Sequence, residues 1–208
     1  QMADVTGTSL TKLAAVESQF VVNELDRAFT VDLGLKKLSP EVLRLLPGEG
    51  LIEGAPFTDW FKKQSDDFRT AFSNQMREGI VNGESIDDMV RRVRGTRAGG
   101  FKDGLMETSR RNAQTLVRSS VLATANKARE AVYKKNSDVI KGVQWLATLD
   151  SRTSDICISL DGSAWFLSGK PMAGTSHSYL GPPPAHFNCR STLIPITKSF
   201  SELAKDKK

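Results

Sequence analysis

The chain has 208 residues, of which 39% are hydrophobic and 25% charged, ordinary proportions for a globular protein with one large domain or two small ones. No stretch approaches the roughly eighteen uninterrupted apolar residues of a membrane-spanning helix, so no membrane partner is expected. The net charge of +5 is uneven: residues 91–141 hold thirteen Lys and Arg against four Asp and Glu, a local +9, which leaves −4 for the remainder.

The opening QMADVTGTSL has no basic region followed by an apolar run, so no secretion signal is expected. Two cysteines do not make a disulfide framework, and a reducing, cytosolic origin is the default.

The first two thirds predict helices. Leu10, Leu13, Phe20, Val21, Leu25 and Ala28 recur at helical spacing, with Thr8 or Ser9 as the expected cap. SPEVLRLLPGEG reads as a short helix capped by Ser39, with Pro40 at its first position and Pro47-Gly48 as its stop. A longer helix follows, with Phe57, Phe61, Phe68 and Phe72 on one face and Gly83 after its end. ESIDDMVRRVRG predicts another short amphipathic helix, and TRAGGFKDG a loose hinge. The longest helix is expected from about Leu105 to Asn136, its apolar face formed by Ala113, Leu116, Val117, Val121, Thr124, Ala128 and Val132.

After Asn136 the pattern turns to strands: GVQWLATLD, GSAWFLS and CRSTLIPI. Between the last two lies GKPMAGTSHSYLGPPPAH, a long Gly- and Pro-rich loop of a kind that is uncommon unless functional or disordered. The polar tail SELAKDKK is expected to fray. The predicted fold class is α+β, a mostly α-helical N-terminal two thirds followed by a small antiparallel β-rich unit. A β unit of about sixty residues standing alone would need a staple.

Chemistry-bearing residues concentrate in that last part. Cys157, His186 and Cys189 are candidate zinc ligands, because thiolate and imidazole are favoured by that ion and His-x-x-Cys spacing lets two ligands converge across a tight turn. Asp150 or Asp155 is the candidate fourth ligand. A packed knot of buried free thiols and a Cys157–Cys189 disulfide stand as alternatives. His186, oriented by Asp150 or Asp155 with Arg152 or Arg190 holding an anion, would suit a metal-assisted nuclease or effector. No G-x-S-x-G, H-E-x-x-H or P-loop supports an enzyme, so none is expected. His177 is expected to be a solvated loop side chain, and three prolines ending at Pro184 to hold His186 stiffly.

On the long helix, Arg111, Arg118 and Arg129 fall within roughly 20° of one another and form a stripe about 27 Å long. Arg91, Arg92, Arg94 and Arg97 cluster just upstream. Such a stripe suits sequence-independent contact with double-stranded DNA phosphates or an acidic protein surface. No aromatic residues interleave with it, which leaves stacking on single strands unsupported.

The order Trp145, Asp150-x-Arg152-Thr153, Cys157, Leu160-Asp161-Gly162, a variable loop, Pro183-Pro184-Ala185-His186 and Asn188-Cys189-Arg190 resembles the phage Mu F-like minor head proteins, the head morphogenesis proteins of tailed phages. LVRSSVLATANKAREAVY is similar to the helix preceding the motif in that family, with Arg118-Ser119 for its usual Arg-Thr. The resemblance covers roughly residues 85 to 196. It implies a structural virion protein present in a few copies inside the head near the portal vertex, and in the host cytoplasm during assembly. The implied partners are the portal protein and other virion proteins, with roles in assembly and in DNA packaging or ejection. No reaction and no cofactor is attached to the family's core domain. The pattern of the chain changes near residue 140, and the expected division is a helical portal- or partner-docking region over 1–100, a Mu F-like domain of long helix and small sheet over 101–200, and the tail 201–208. Many relatives carry cysteine where Ser154 and Ser191 stand, which favours a corner held by hydrogen bonds over a complete metal knuckle.

Overall fold

The computed structural model describes residues 2–29 and 31–205, with side chains for 8–29 and 31–204. Among the described residues the order is α1 (Met2–Ala28), α2 (Pro40–Glu49), β1 (Leu51–Ile52), β2 (Ala55–Pro56), α3 (Phe57–Val81), α4 (Ile86–Arg94), α5 (Leu105–Lys135), β3 (Ile140–Leu146), α6 (Asp155–Leu160), β4 (Ala164–Phe166), β5 (Thr192–Thr197) and α7 (Phe200–Lys205). The fold is α+β, with helices dominating up to residue 135 and an antiparallel sheet of order β4-β3-β5 after it.

Several boundaries differ from expectation for local reasons. The first helix begins at Met2, so Thr8 and Ser9 lie inside it and cap nothing. Ser39 caps α2 and Pro40 occupies its first turn as predicted, but Pro47 is helical and the helix runs on to Glu49. A proline that late removes one N–H only where the ladder is about to end; the Gly50 N–H then closes the last turn on the Leu46 carbonyl. The 96–104 segment is a locked turn, not a loose hinge. Asp103 accepts from the Thr96 amide at 2.8 Å and the Thr96 hydroxyl at 2.6 Å, and the Thr96 Oγ1 accepts from Gly99. The Arg94 guanidinium sits 5.2 Å over the Phe101 ring. Gly104 passes so close that a Cβ there would lie 2.2 Å from the Gly95 nitrogen.

Packing groups residues 1–54 and 119–208 into one compact unit and 55–118 into a second. In the second unit α3 and α4 meet at Gly79, where an added Cβ would strike the Met89 side chain at 2.5 Å. Arg92 of α4 pairs with Glu78 of α3 at 3.3 Å and with Glu84 of the intervening turn at 2.5 Å. The four phenylalanines of α3 pair as predicted from their common face, Phe57 edge-on to Phe61 and Phe68 stacked on Phe72.

In the first unit the sheet does not stand alone. Its core joins Val21, Val22 and Leu25 of α1, Val132 and Tyr133 of α5, Val143 and Trp145 of β3, Cys157 and Leu160 of α6, Trp165 of β4 and Leu193 of β5. The small β part therefore draws its hydrophobic stabilisation from two helices as well as from its own residues. A side cluster of Ala14, Leu46 and Ala128 packs α1, α2 and α5. The register is antiparallel throughout, with Val143 opposite both Trp165 and Pro195. Gly142 is required by close approach, since a Cβ would lie 2.3 Å from the Trp165 carbonyl oxygen.

The buried face of α5 also differs from expectation. Leu116, Thr124, Ala128 and Val132 are buried as predicted, but Val117 and Val121 are 47% and 42% exposed. In their place Ser119, Ser120, Asn126, Glu130 and, just past the helix end, Asn136 are buried. The last of these reads the backbone of a distant segment: the Asn136 amide accepts from the Lys36 N–H at 2.6 Å and donates to the Lys36 carbonyl at 3.0 Å. Phe20, expected on the apolar face of α1, is 51% exposed.

The start of the tail is ordered. Ser199 and Glu202 exchange bonds across the first turn of α7, the Ser199 amide donating to Glu202 at 2.6 Å and the Glu202 amide to the Ser199 hydroxyl at 3.3 Å, a capping box. Backbone and side-chain bonds from Ser199 and the Lys141 ammonium hold the Glu202 carboxyl down at about 2. Residues 206–208 of the predicted tail lie outside the described residues.

Candidate functional site

Cys157, His186 and Cys189 converge. Ser154 caps α6 by accepting from the Cys157 amide at 3.4 Å, which turns the Cys157 thiol inward on the third residue of the helix. Across from it the chain leaves the prolines, with Pro183–Pro184 in the cis form. It then makes a tight turn in which the Cys189 amide donates to the His186 carbonyl at 3.2 Å. Asn188 carries that turn at φ +58°, a conformation asparagine tolerates better than most residues, and its amide donates to the Ser119 hydroxyl of α5 at 3.0 Å. The two thiol sulfurs end 3.6 Å apart, and the Cys157 sulfur lies 3.2 Å from His186 Nε2. Both thiols are free and buried.

The imidazole is oriented by its neighbours. His186 Nδ1 lies 2.8 Å from the Phe187 carbonyl oxygen, which only accepts, so Nδ1 carries the proton and donates. That leaves Nε2 facing the Cys157 thiol and the Ser154 hydroxyl, which is 2.7 Å away. Burial opposes a charge on the ring, yet the Phe187 carbonyl, the Cys157 thiol and the Glu53 carboxylate together raise its pKa above the ordinary histidine value.

Neither candidate fourth ligand joins the group. Asp150 is held by Arg190 through two bonds of 2.6 Å and accepts from the Arg152 amide at 2.8 Å. The Arg190 guanidinium, helped by that amide, holds its carboxyl well below the usual carboxylate range. Asp155 is exposed in the first turn of α6. Among the described residues the metal-ligating cluster is Cys157, His186 and Cys189, with all ligand atoms within 4.8 Å of one another. The space beside it, lined by Thr148, Arg152, Ser154, Asn188, Arg190 and Ser191 among others, is about 10 Å³. That is room for about one water.

The other motif residues build the frame. Asp161 accepts from the Ala147 amide at 2.8 Å and Gly162 turns the chain at φ +77°. Trp145 is buried in the core, its indole N–H without a partner among the described residues. Pro184 is buried beside His186. The long loop is irregular but pinned. The Trp165 indole donates to the His177 carbonyl at 2.7 Å, and the Ala164 amide to the Thr175 hydroxyl at 2.8 Å. The Tyr179 hydroxyl donates to buried Glu130 at 2.8 Å. His177 is thus half-buried rather than solvated.

The arginines do not form one free stripe. Arg129 is turned inward to Glu17 and to the Thr192 hydroxyl at 2.7 Å. Arg91 pairs with Asp88 at 2.6 Å and Arg92 with Glu84. Arg94 lies over Phe101. Arg111 is exposed, 4.0 Å from Glu107, and Arg118 is exposed. Acids at three- and four-residue spacing on the same helix were the signal for the Arg91 and Arg111 pairs, but not for Arg92 or Arg129.

The residues missed from sequence are Asn126, Glu130, Asn136 and Tyr179. Polar residues in a helix or loop carry no outward sign that they will be buried, and only a partner from elsewhere in the chain makes them structural.

A central helix whose amide, hydroxyl and carboxylate side chains grip a three-stranded antiparallel sheet, closed by a thiol–imidazole corner, defines a structural α+β unit. The phage Mu protein F like family matches residues 70–194, more than half of the chain. The chain belongs to that family, one of structural proteins of phage head morphogenesis. Comparison with curated proteins and with solved structures gave no match. No helix among the described residues is long and apolar enough to cross a membrane.

Proposed function

We propose that the chain is a minor head protein of a tailed phage, held inside the head at the portal vertex and acting in head assembly and in DNA packaging or ejection. The family match over residues 70–194 carries this reading. The surface of the second unit supports docking on a protein: Phe72, Met76 and Ile80 stand one turn apart on α3, with Phe72 40%, Ile80 71% and Val81 79% exposed. An apolar stripe of that kind suits a helical partner such as a portal subunit.

DNA contact is the subordinate part of the reading. With Arg92 and Arg129 engaged by carboxylates, Arg111 and Arg118 are the exposed part of the stripe, so duplex binding would be weak and steeply salt-dependent. The nuclease alternative centred on His186 is disfavoured because about 10 Å³ beside the ring admits a water and not a phosphodiester.

Co-expression with the portal protein of the same phage tests the reading. The chain is expected to co-elute with the portal ring, and Ile80→Asp with Val81→Asp to weaken retention more than about tenfold. A chain that elutes alone at every concentration and salt would remove the portal from the account.

A further inference from the structure

The corner described above is arranged for more than packing. We infer that Cys157 Sγ, Cys189 Sγ and His186 Nε2 form a binding site for one zinc ion, with the fourth position taken by the Ser154 hydroxyl or a water. A tetrahedral zinc with Zn–S of about 2.3 Å and Zn–N of about 2.0 Å spaces two sulfurs about 3.8 Å apart and sulfur from nitrogen about 3.6 Å. The sulfurs here are 3.6 Å apart and Cys157 Sγ is 3.2 Å from Nε2. All three ligand atoms lie within 4.8 Å of one another, so the ion requires side-chain shifts of up to about an ångström to reach tetrahedral spacing.

Three features favour a thiophilic ion over hydrogen bonds alone. The Nδ1 proton is committed to the Phe187 carbonyl, so the lone pair at Nε2 faces the Cys157 sulfur, and such a carbonyl bond is what orients a ligating histidine. Both sulfurs are buried, which shields them from competing reactions. The donor set of two sulfurs and one imidazole nitrogen matches zinc and other borderline or soft ions and not magnesium or calcium. Binding displaces the two thiol protons, so the two thiolates balance the charge of the ion. The ion would tie α6 to the turn at 186–189. The Ser154 hydroxyl, 2.7 Å from Nε2, is the oxygen within reach of the fourth position once the ion separates the two. The site is independent of portal docking, and either can fail without the other.

The test uses the full chain, purified with a phosphine reductant, and zinc or cobalt added alone. One equivalent of zinc is expected to resist a moderate chelator, and cobalt to give thiolate charge-transfer and tetrahedral ligand-field bands. His177→Ala, at the other histidine, should leave both unchanged, and Cys189→Ser should lower zinc affinity by more than about tenfold. Should Cys189→Ser fail to fold, Ser154→Cys decides: a fourth thiolate at that position is expected to raise zinc affinity by at least about tenfold. Folded wild-type protein holding less than a tenth of an equivalent of zinc, without cobalt charge-transfer bands, overturns the assignment. So does Ser154→Cys with unchanged affinity.

Discussion

Trp165→Ala is expected to destabilise the protein by about 3–5 kcal/mol, the range for removing a large aromatic side chain from a core. At this chain length that is a fall in Tm of roughly 10 °C. Trp165 is 1% exposed and is the largest fully buried side chain among the described residues. It does three jobs at once. Its ring is part of the main core. It packs against Tyr179 with centroids 5.3 Å apart. Its indole N–H donates to the His177 carbonyl, halfway along the long loop. Tyr179 in turn reaches Glu130, which is buried yet ionised. Burial disfavours that charge, but Lys134, Lys127 and the Tyr179 hydroxyl outweigh it and its pKa falls. Removing Trp165 should therefore free residues 169–182 as well as open a cavity. Hydrogen exchange of the loop measures the first effect and urea unfolding the second. Trp165→Phe keeps the ring contact and loses the N–H, and should cost about 1 kcal/mol for the hydrogen bond beside a packing loss. A loss under about 1 kcal/mol for Trp165→Ala would mean that the loop and β4 are not packed as described.

Asn126→Ala is the second large effect, expected at about 2–4 kcal/mol because it strands buried backbone groups. β5 is an edge strand of the sheet, with β3 on one side only. Edge strands present unpaired N–H and C=O groups, and proteins cover or blunt them. Here α5 covers the edge with side chains. Asn126 Oδ1 accepts from the Leu193 amide at 3.2 Å and the Thr192 hydroxyl at 2.9 Å, while its Nδ2 donates to the Ser191 carbonyl at 3.3 Å. The Tyr133 hydroxyl takes the Leu193 carbonyl at 3.4 Å, and burial pushes that phenol up to about 12. One amide thus stands in for a neighbouring strand. In the variant, the Leu193 amide should exchange much faster than those of β3, and the chain should become prone to edge-to-edge association at raised concentration. Unchanged Leu193 protection would show that the amide is not what covers the edge.

Much of this frame was legible in the residues. Period-3.6 spacing placed α5 to within a residue of its end, and the change to β-branched and aromatic residues after Asn136 located the strands. The His-x-x-Cys spacing brought His186 and Cys189 together, and the motif order brought Cys157 to them. What spacing cannot convey is which polar residue finds a distant partner. Asn126 and Asn136 drew no expectation, because nothing local marks an amide that will bind backbone at residues 191–193 or at Lys36. The same blindness put Val117 and Val121 on the buried face, and made Arg129 a free cation when Glu17 lies beside it. The turn at 96–104 read as a hinge because its glycines suggested mobility, whereas Asp103, seven residues after Thr96, closes it. The fourth-ligand expectation failed for a related reason: Asp150 already has Arg190, and a carboxylate gripped by a guanidinium is a poor metal donor.

The central claim is that this chain is built into a phage head as a structural part. Quantitative mass spectrometry of heads purified from the phage that encodes it tests this most directly, after nuclease treatment and a high-salt wash. The account predicts the chain in the head fraction at a fixed ratio of a few copies per portal ring. A chain confined to the soluble fraction, with heads that assemble and fill normally when its gene is deleted, would contradict it.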